Sequence, residues 1–545
     1  MMMHRAIRFL TMMVWLAGGI SVLASGPPPD EEPGPNIIVF LVDDLGWQDT
    51  SVVFDDQASM FQQHFRTPNL ERLAERGIRF SRGYAHCVCS PTRTSIMTGQ
   101  HPARHRVTNW TLHRDRDSSG TTERLAAPRD WRMQGIQPDT PTLAGHLQAS
   151  GYRTIHAGKA HWGAIGTPGS DPCSLGFDVN IAGHSAGAPG SYQSADQFDK
   201  PGNRGPRSVW AVPGLEKYHD QEIHLTDALA REAVSAIDDA VAADQPFFLY
   251  FAPYAVHTPL QPHPRFIDHY RGQTYPGTGR EIPENEAVYA SMVEGFDDAL
   301  GQLLDALRDR NVADRTLIVF TSDNGGLSAH TRQMTPYETG RDTHNHPLRE
   351  GKGSAYEGGI RVPLVVAWAT PDAGSRIQQR IPVARGIRTA TPVVPEDLMP
   401  TICHWAGVPL SEAESAGDRP PRDGRDFTPW LTGAQPDAER ALLFHYPHVW
   451  GPAGAGYQPH SSLQYGGWKA IWFYDTRTWE LYCLSGDPGE QDNLANRRPD
   501  RLAELAERLI QELDDRQAQY PVLRETGEMQ PVEWPDRPPG NDRNR

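Results

Sequence analysis

The run Asn36-Ile37-Ile38-Val39-Phe40-Leu41-Val42 limits what this chain can fold into more than any other stretch. A short, continuous apolar segment without polar alternation fits a strand covered on both faces, the strand type of a parallel sheet. Similar runs recur at 152–157, 247–251, 317–320 and 362–368. Helical patterns lie between them. Thr67-Pro68-Asn69-Leu70 supplies an N-cap and a first-turn proline, with Leu73 and Ala74 following and Gly77 as a stop. Thr140-Pro141-Thr142-Leu143 repeats the device, with Thr140 read as the cap, Leu147 one turn on and Gly151 closing. Residues 289–308 carry a long amphipathic helix pattern. Strands alternating with helices predict an α/β fold, a large and mostly parallel sheet flanked by helices.

The C-terminal part reads differently. Segments 462–466, 468–474 and 479–484 are short strands separated by Gly466-Gly467 and Asp475-Thr476. They predict a smaller antiparallel subdomain. A helix follows over 499–515, with Leu502, Leu505, Leu509 and Leu513 at helical spacing. The expected organisation is a signal peptide over 1–24, a Pro/Gly linker over 25–35, the main α/β domain over 36–440, the C-terminal subdomain over 441–520 and a Pro-rich charged tail over 521–545.

The first segment joins Arg5 and Arg8 to an apolar stretch ending in Val22-Leu23-Ala24, with Val22 and Ala24 at the positions a signal peptidase reads. That stretch is shorter than the ~20 residues a membrane span needs, so a cleaved signal is expected and no stable membrane anchor. The expected location is periplasmic or secreted. With 52 Lys+Arg against 68 Asp+Glu, the net charge of −16 excludes a generic basic nucleic-acid binder. The five cysteines, Cys87, Cys89, Cys173, Cys403 and Cys483, are too few and odd in number for a disulfide framework.

Ligands of α/β sheets bind beyond the carboxyl ends of the strands. The first strand ends in Asp43-Asp44, and the strand over 317–320 leads to Asp323-Asn324. Each pair alone is a common turn signal. Together at strand ends they form an all-oxygen donor set suited to Ca²⁺ or Mg²⁺.

The segment Cys89-Ser90-Pro91-Thr92-Arg93, with Ile96-Met97-Thr98-Gly99 after it, resembles the signature of the formylglycine-dependent (type I) sulfatases of the alkaline phosphatase superfamily. That signature is Cys-x-Pro-x-Arg, then a hydrophobic pair and Thr-Gly. Gly158-Lys159-Ala160-His161-Trp162-Gly163 is similar to the family's second signature, with Ala160 in place of the usual aromatic. His257 in 250–259, Lys352 in 351–359 and the closing 479–494 extend the likeness over nearly the whole chain. Cys87 departs from the small residue usual two positions before the key cysteine, and is expected to be a packed bystander.

The resemblance implies an alkaline-phosphatase-like fold and a sulfuric ester hydrolase. Cys89 would be oxidised to formylglycine by a maturation enzyme, and one hydroxyl of the hydrated aldehyde would attack sulfur while the other later expels sulfate. Asp43, Asp44, Asp323 and Asn324 would bind the metal, Ca²⁺ in most of the family, with formylglycine at Cys89 as a further ligand. Arg93 would hold the formylglycine hydroxyl. Lys159 and Lys352 would neutralise sulfate, His257 would protonate the leaving alcohol and His161 would take the proton of the gem-diol.

Two loops adjoin these motifs, between His105 and Pro141 and between Gly326 and Lys352. Trp110, His113, Arg114, Arg341 and His344 are the candidate substrate contacts, since Trp stacks on sugar faces and Arg binds anions. The expected substrate is a sulfated saccharide cleaved from one end. The alternatives are a phosphonate monoester or phosphodiester hydrolase of the same superfamily, and a non-catalytic glycan-binding protein if Cys89 is not converted.

Overall fold

Strand β1 (Asn36–Val42) is buried along its whole length, and its alternate side chains enter two separate cores. The structure, a computed structural model, describes residues 34–56, 59, 62–327, 344–410, 421–435, 439–450 and 456–535. The expected signal peptide, the linker up to 33, Arg341 and the end of the tail (536–545) lie outside the described residues.

The other strands of the large sheet are β2 (Gly77–Phe80), β3 (Arg153–Gly158), β4 (Val179–Ile181), β5 (Phe247–Ala252), β6 (Thr316–Ser322), β7 (Leu364–Trp368) and β8 (Ile387–Thr389). They lie in the order β8-β2-β7-β6-β1-β5-β3-β4. β7 alone runs against the rest, pairing antiparallel with β2 and β6. The apolar run expected over 362–368 as one strand is divided at Pro363, which lacks an N–H for the ladder.

The main helices are α1 (Pro68–Arg76), α2 (Cys89–Thr98), α3 (Leu143–Ala149), α4 (Leu225–Ala242), α5 (Glu284–Asp309), α6 (Leu398–Trp405) and α7 (Pro499–Asp515). Ile38, Phe40 and Val42 pack with Leu73 of α1, Ile237 of α4 and Leu300 of α5. Ile37, Val39 and Leu41 pack with Met97 of α2, Leu147 of α3 and Ile402 of α6. Helices therefore cover both faces, and each fully buried Leu or Ile contributes ~1.5–3 kcal/mol.

Two expected caps differ in detail. The α1 donors are taken by Asp297 of α5, whose carboxylate accepts from Asn69 N at 3.0 Å and Leu70 N at 2.8 Å, while Thr67 Oγ1 accepts from Ser51 N. The cap of α3 is Thr142, not Thr140: its Oγ1 accepts from Gly145 N at 3.0 Å.

The small sheet contains β9 (Leu442–Tyr446), β10 (His460–Tyr465), β11 (Trp468–Phe473) and β12 (Thr478–Cys483), all antiparallel neighbours in that order. It gains β9 over the three expected strands. Leu502, Leu505, Leu509 and Leu513 of α7 pack with Leu463 and Leu481. Lys469 of β11, fully buried, pairs with Glu357 at 3.1 Å and Glu490 at 2.9 Å. This fixes the small sheet to the short helical turn at Glu357, five residues after Lys352. Part of the expected loose tail is ordered: Val522–Leu523 pairs with Leu125–Ala126, because Val522 finds a buried place there. All five cysteines are free. No helix among the described residues is long and apolar enough to cross a membrane.

Candidate active site

The neighbouring parallel strands β6, β1, β5 and β3 deliver their carboxyl ends to one edge of the sheet, the position where such sheets bind ligands. β1 ends at Asp43-Asp44, β6 at Asp323-Asn324, β3 leads into Lys159 and His161, and β5 leads into His257. Asp43, Asp44 and Asp323 are fully buried, with one oxygen of each within 4.8 Å of the others. Three buried carboxylates this close require compensation.

Each carboxylate has a cation. Lys159 Nζ donates to Asp43 Oδ1 at 2.7 Å and Oδ2 at 2.8 Å. Lys352 Nζ lies 2.7 Å from Asp44 Oδ1. Arg93 Nε donates to Asp323 Oδ2 at 2.7 Å, and its Nη1 donates to Lys159 O at 2.7 Å. Burial, reinforced by Asp323 and Asp44, raises the Asp43 carboxyl well above the usual range in spite of Lys159. Burial works the same way on Asp44, but Lys352, His257 and Lys159 together hold it below the ordinary range. Asp323 is likewise held low against burial by Arg93 and Lys159.

The donor set fits a hard divalent cation. Asn324 Nδ2 donates to Asp44 Oδ1 at 2.8 Å, whereas Asn324 Oδ1 and Asp44 Oδ2 are buried without a hydrogen-bond donor. Unmet buried oxygens are costly, and an ion bound among four oxygen-bearing side chains meets that demand.

Cys89 is the first residue of α2, at the helix end where the backbone dipole favours negative charge. Pro91 is tolerated in this first turn, and Gly99 caps the far end at φ 66. Cys89 Sγ lies 3.3 Å from His161 Nδ1. His161 Nε2 contacts the Thr111 carbonyl at 2.8 Å, so it carries the proton and Nδ1 presents a lone pair to Cys89. Burial, with Lys159 and Arg93 nearby, pushes His161 well below its ordinary pKa and keeps it neutral. His257 Nδ1 likewise donates to Thr258 O at 2.8 Å, leaving Nε2 3.6 Å from Asp44 Oδ2. Burial and Lys352 push His257 down to about 3. Asp44 and His161 hold left-handed backbone at φ 62 and φ 59, strain of ~1–2 kcal/mol each that the site retains.

Asp44, Cys89, His161, His257 and Lys352 line one cleft of about 1090 Å³. Arg93 and Lys159 do not line it; both are fully buried and hold Asp323 and Asp43 from behind. Of the expected substrate contacts, Trp110 lines the cleft. His113 and Arg114 are not among its lining residues. His344 is buried instead, 3.8 Å from Glu286 of α5, a carboxylate that draws it into the core side of its loop. Arg341 lies outside the described residues.

Three wall residues escaped the sequence reading: Lys200, Trp210 and Trp450. The first two belong to a Pro/Gly-rich stretch without periodicity, and Trp450 follows the strand β9 that was not anticipated. Trp210 and Trp450 carry one sequence signal, a Trp in an irregular segment, and Lys200 carries none.

Gly187 also lines the cleft, and a Cβ there would lie 2.4 Å from Cε1 of His161. The ring is held by Thr111 and Cys89 and has no room to yield. Gly187→Ala is expected to displace it and lower kcat by up to ~100-fold with a smaller change in KM, measured by steady-state kinetics on an aryl sulfate.

The architecture is that of the alkaline phosphatase superfamily. The family model for sulfatases matches residues 35–408, and the chain belongs to the sulfatase family. Its activity is that of a sulfuric ester hydrolase. A sulfatase of Formosa agariphila is 28% identical over 516 residues, 86% of this chain and 86% of that protein. The N-acetylgalactosamine-6-sulfatase of Canis lupus familiaris is 28% identical over 434 residues, 78% of this chain and 70% of that protein. The crystal structure of Ps i-CgsB in complex with k-i-k-neocarrahexaose matches with a TM-score of 0.65 at 27% identity, covering 89% of this chain and 93% of that one.

Proposed function

We propose that this chain is an exported sulfatase that removes a sulfate ester from the end of a saccharide, using formylglycine made from Cys89 and a bound divalent cation, Ca²⁺ or Mg²⁺. The observation that carries the reading is the position of Cys89: at the start of α2, 3.3 Å from a neutral histidine, within electrostatic reach of the buried Asp43 and Asp323, and lining the same cleft as Asp44. The saccharide is supported by the tryptophan walls of the cleft and by relatives whose names specify N-acetylgalactosamine-6-sulfate and a neocarrahexaose.

Formylglycine, once made, supplies a hydroxyl nucleophile and a route for sulfate to leave by return to the aldehyde. A bound cation supplies Lewis acidity toward a sulfate oxygen. The chain's own residues do the rest. His161 Nδ1 accepts the proton of the second hydroxyl, the one that does not attack, as sulfate is released, since its Nε2 proton is committed to Thr111. Lys352 faces the cleft and offsets charge on the sulfate oxygens. Lys159 and Arg93 orient Asp43 and Asp323. Bound sulfate offsets Lys352, a charge that helps to depress His257, so Nε2 takes up a proton there and, with the ring held through Nδ1 by Thr258, passes it to the sugar oxygen as its bond to sulfur breaks.

The deciding assay is a panel of defined sulfated mono- and oligosaccharides beside 4-nitrophenyl sulfate and a phenylphosphonate monoester. Sulfate release from at least one saccharide is expected. Turnover of the aryl sulfate alone removes the saccharide reading, and a preference for the phosphonate ester favours the phosphonate hydrolase. His257→Ala is expected to lower kcat/KM on a sugar sulfate by ~10²–10⁴-fold and on 4-nitrophenyl sulfate by far less, because nitrophenolate leaves without a proton. Equal losses on the two substrates remove His257 from the acid role.

A further inference from the structure

Lysine is scarce in this chain, five residues in 545. Lys159, Lys352 and Lys469 are buried in ion pairs with Asp43, Asp44 and the Glu357–Glu490 pair. Lys217 pairs with Glu232 at 2.8 Å. The fifth, Lys200, lines the cleft, and its ammonium makes no ion pair among the described residues. It stands 6.0 Å from the ring centroid of Trp210, which lines the same cleft.

The neighbouring acid does not neutralise it. The Asp199 carboxylate is committed to its own loop, accepting from Lys200 N at 2.7 Å, Asn203 Nδ2 at 2.8 Å, Ser208 N at 3.0 Å and Ser208 Oγ. These bonds outweigh its burial and pull Asp199 down to about 2. Lys200 is therefore a free positive charge held over an aromatic face in a protein of net charge −16.

Its distance from the chemistry is bounded by the chain. Gly187 packs on the His161 ring, and Gly190 N donates to Trp210 O at 2.7 Å. The Lys200 backbone packs on Gly190 as well, and the three-residue step from Gly187 to Gly190 spans at most ~11 Å, the scale of one to two sugar units.

Building on the saccharide reading, we propose that Lys200 and Trp210 form a subsite for a second anionic group, a sulfate ester or a carboxylate, on the sugar unit next to the one that loses its sulfate. Trp210 stacks on that unit and Lys200 pairs with its anion. The subsite selects polyanionic saccharides that the acidic surface otherwise repels.

The test compares three substrates: 4-nitrophenyl sulfate, N-acetylgalactosamine-6-sulfate, and the same unit joined to glucuronate. Lys200→Met is expected to lower kcat/KM for the disaccharide, mainly through KM, by roughly threefold to tenfold more than for the monosaccharide or the aryl sulfate. Lys200→Arg restores most of it. The excess loss shrinks as salt rises from low to physiological ionic strength. Equal effects on all three substrates, or none on the disaccharide, overturn the subsite while leaving the saccharide sulfatase intact. Where neither saccharide is cleaved but the panel above yields another sulfated sugar, that sugar and its glucuronate conjugate take their place; turnover of the aryl sulfate with no saccharide of the panel cleaved overturns the saccharide reading and the subsite with it.

Discussion

Cys89→Ala is expected to lower turnover of 4-nitrophenyl sulfate by at least ~10⁴-fold, the loss typical of removing a nucleophile. The fold should survive. Cys89 is small, buried at 3% exposure, and contributes one sulfur contact to His161, so its truncation costs ~1 kcal/mol. The far-ultraviolet spectrum and the cooperativity of unfolding therefore remain those of the wild type. Cys89→Ser keeps a hydroxyl in the same position but has no second hydroxyl through which to release sulfate, and is expected to stall after attack. In the active wild type, the peptide spanning Cys89 should be lighter than the sequence requires, because sulfur is lost and a carbonyl oxygen gained. An active preparation whose Cys89 peptide retains an intact thiol sinks the formylglycine reading. Full activity in Cys89→Ala would remove the residue from the chemistry altogether.

The parallel-sheet core and the site were legible for different reasons. β1, β5 and β6 are continuous apolar runs because helices cover both faces, and that burial writes itself into the sequence directly. β1 and β6 lead into buried acids, Asp43-Asp44 and Asp323, and acids after an apolar run are visible without a structure. α2 was not legible as a helix. All ten of its residues are buried, so no polar face marks a period, and its motif points to chemistry rather than to conformation. Thr67 stands at the N-cap of α1, as its sequence implies, but Asp297, far away in sequence, takes the helix donors that its side chain would have met. Long-range contacts also decide the site's second layer. Nothing local in Lys159 says that it binds Asp43 from behind while Lys352 faces the cleft. His344 shows the converse: a polar residue in a loop beside a motif, yet paired with Glu286 away from the cleft.

Chelation should separate activity from folding. EDTA treatment is expected to reduce turnover to a few per cent or less, with recovery on adding Ca²⁺ or Mg²⁺, and the pair compared side by side ranks the two cations. The chain nevertheless stays folded, for a reason visible in the site. Asp43, Asp44 and Asp323 each keep a cation of the protein's own, Lys159, Lys352 and Arg93, each within 2.7 Å. Removing an outside ion therefore leaves no uncompensated carboxylate in the core, the condition that makes broken buried pairs so damaging. What is lost is the binding linkage, ~2.7 kcal/mol for an ion present at a hundred times its dissociation constant. Tm should fall by a few degrees, as a single transition, and return with the metal. Lys159→Met breaks this logic: Asp43 loses its internal partner, and the same chelation should then cost markedly more stability than in the wild type. Unfolding of the wild type on chelation would show that the three cations do not balance the aspartates, and undiminished turnover would show that the acidic cluster holds no catalytic ion.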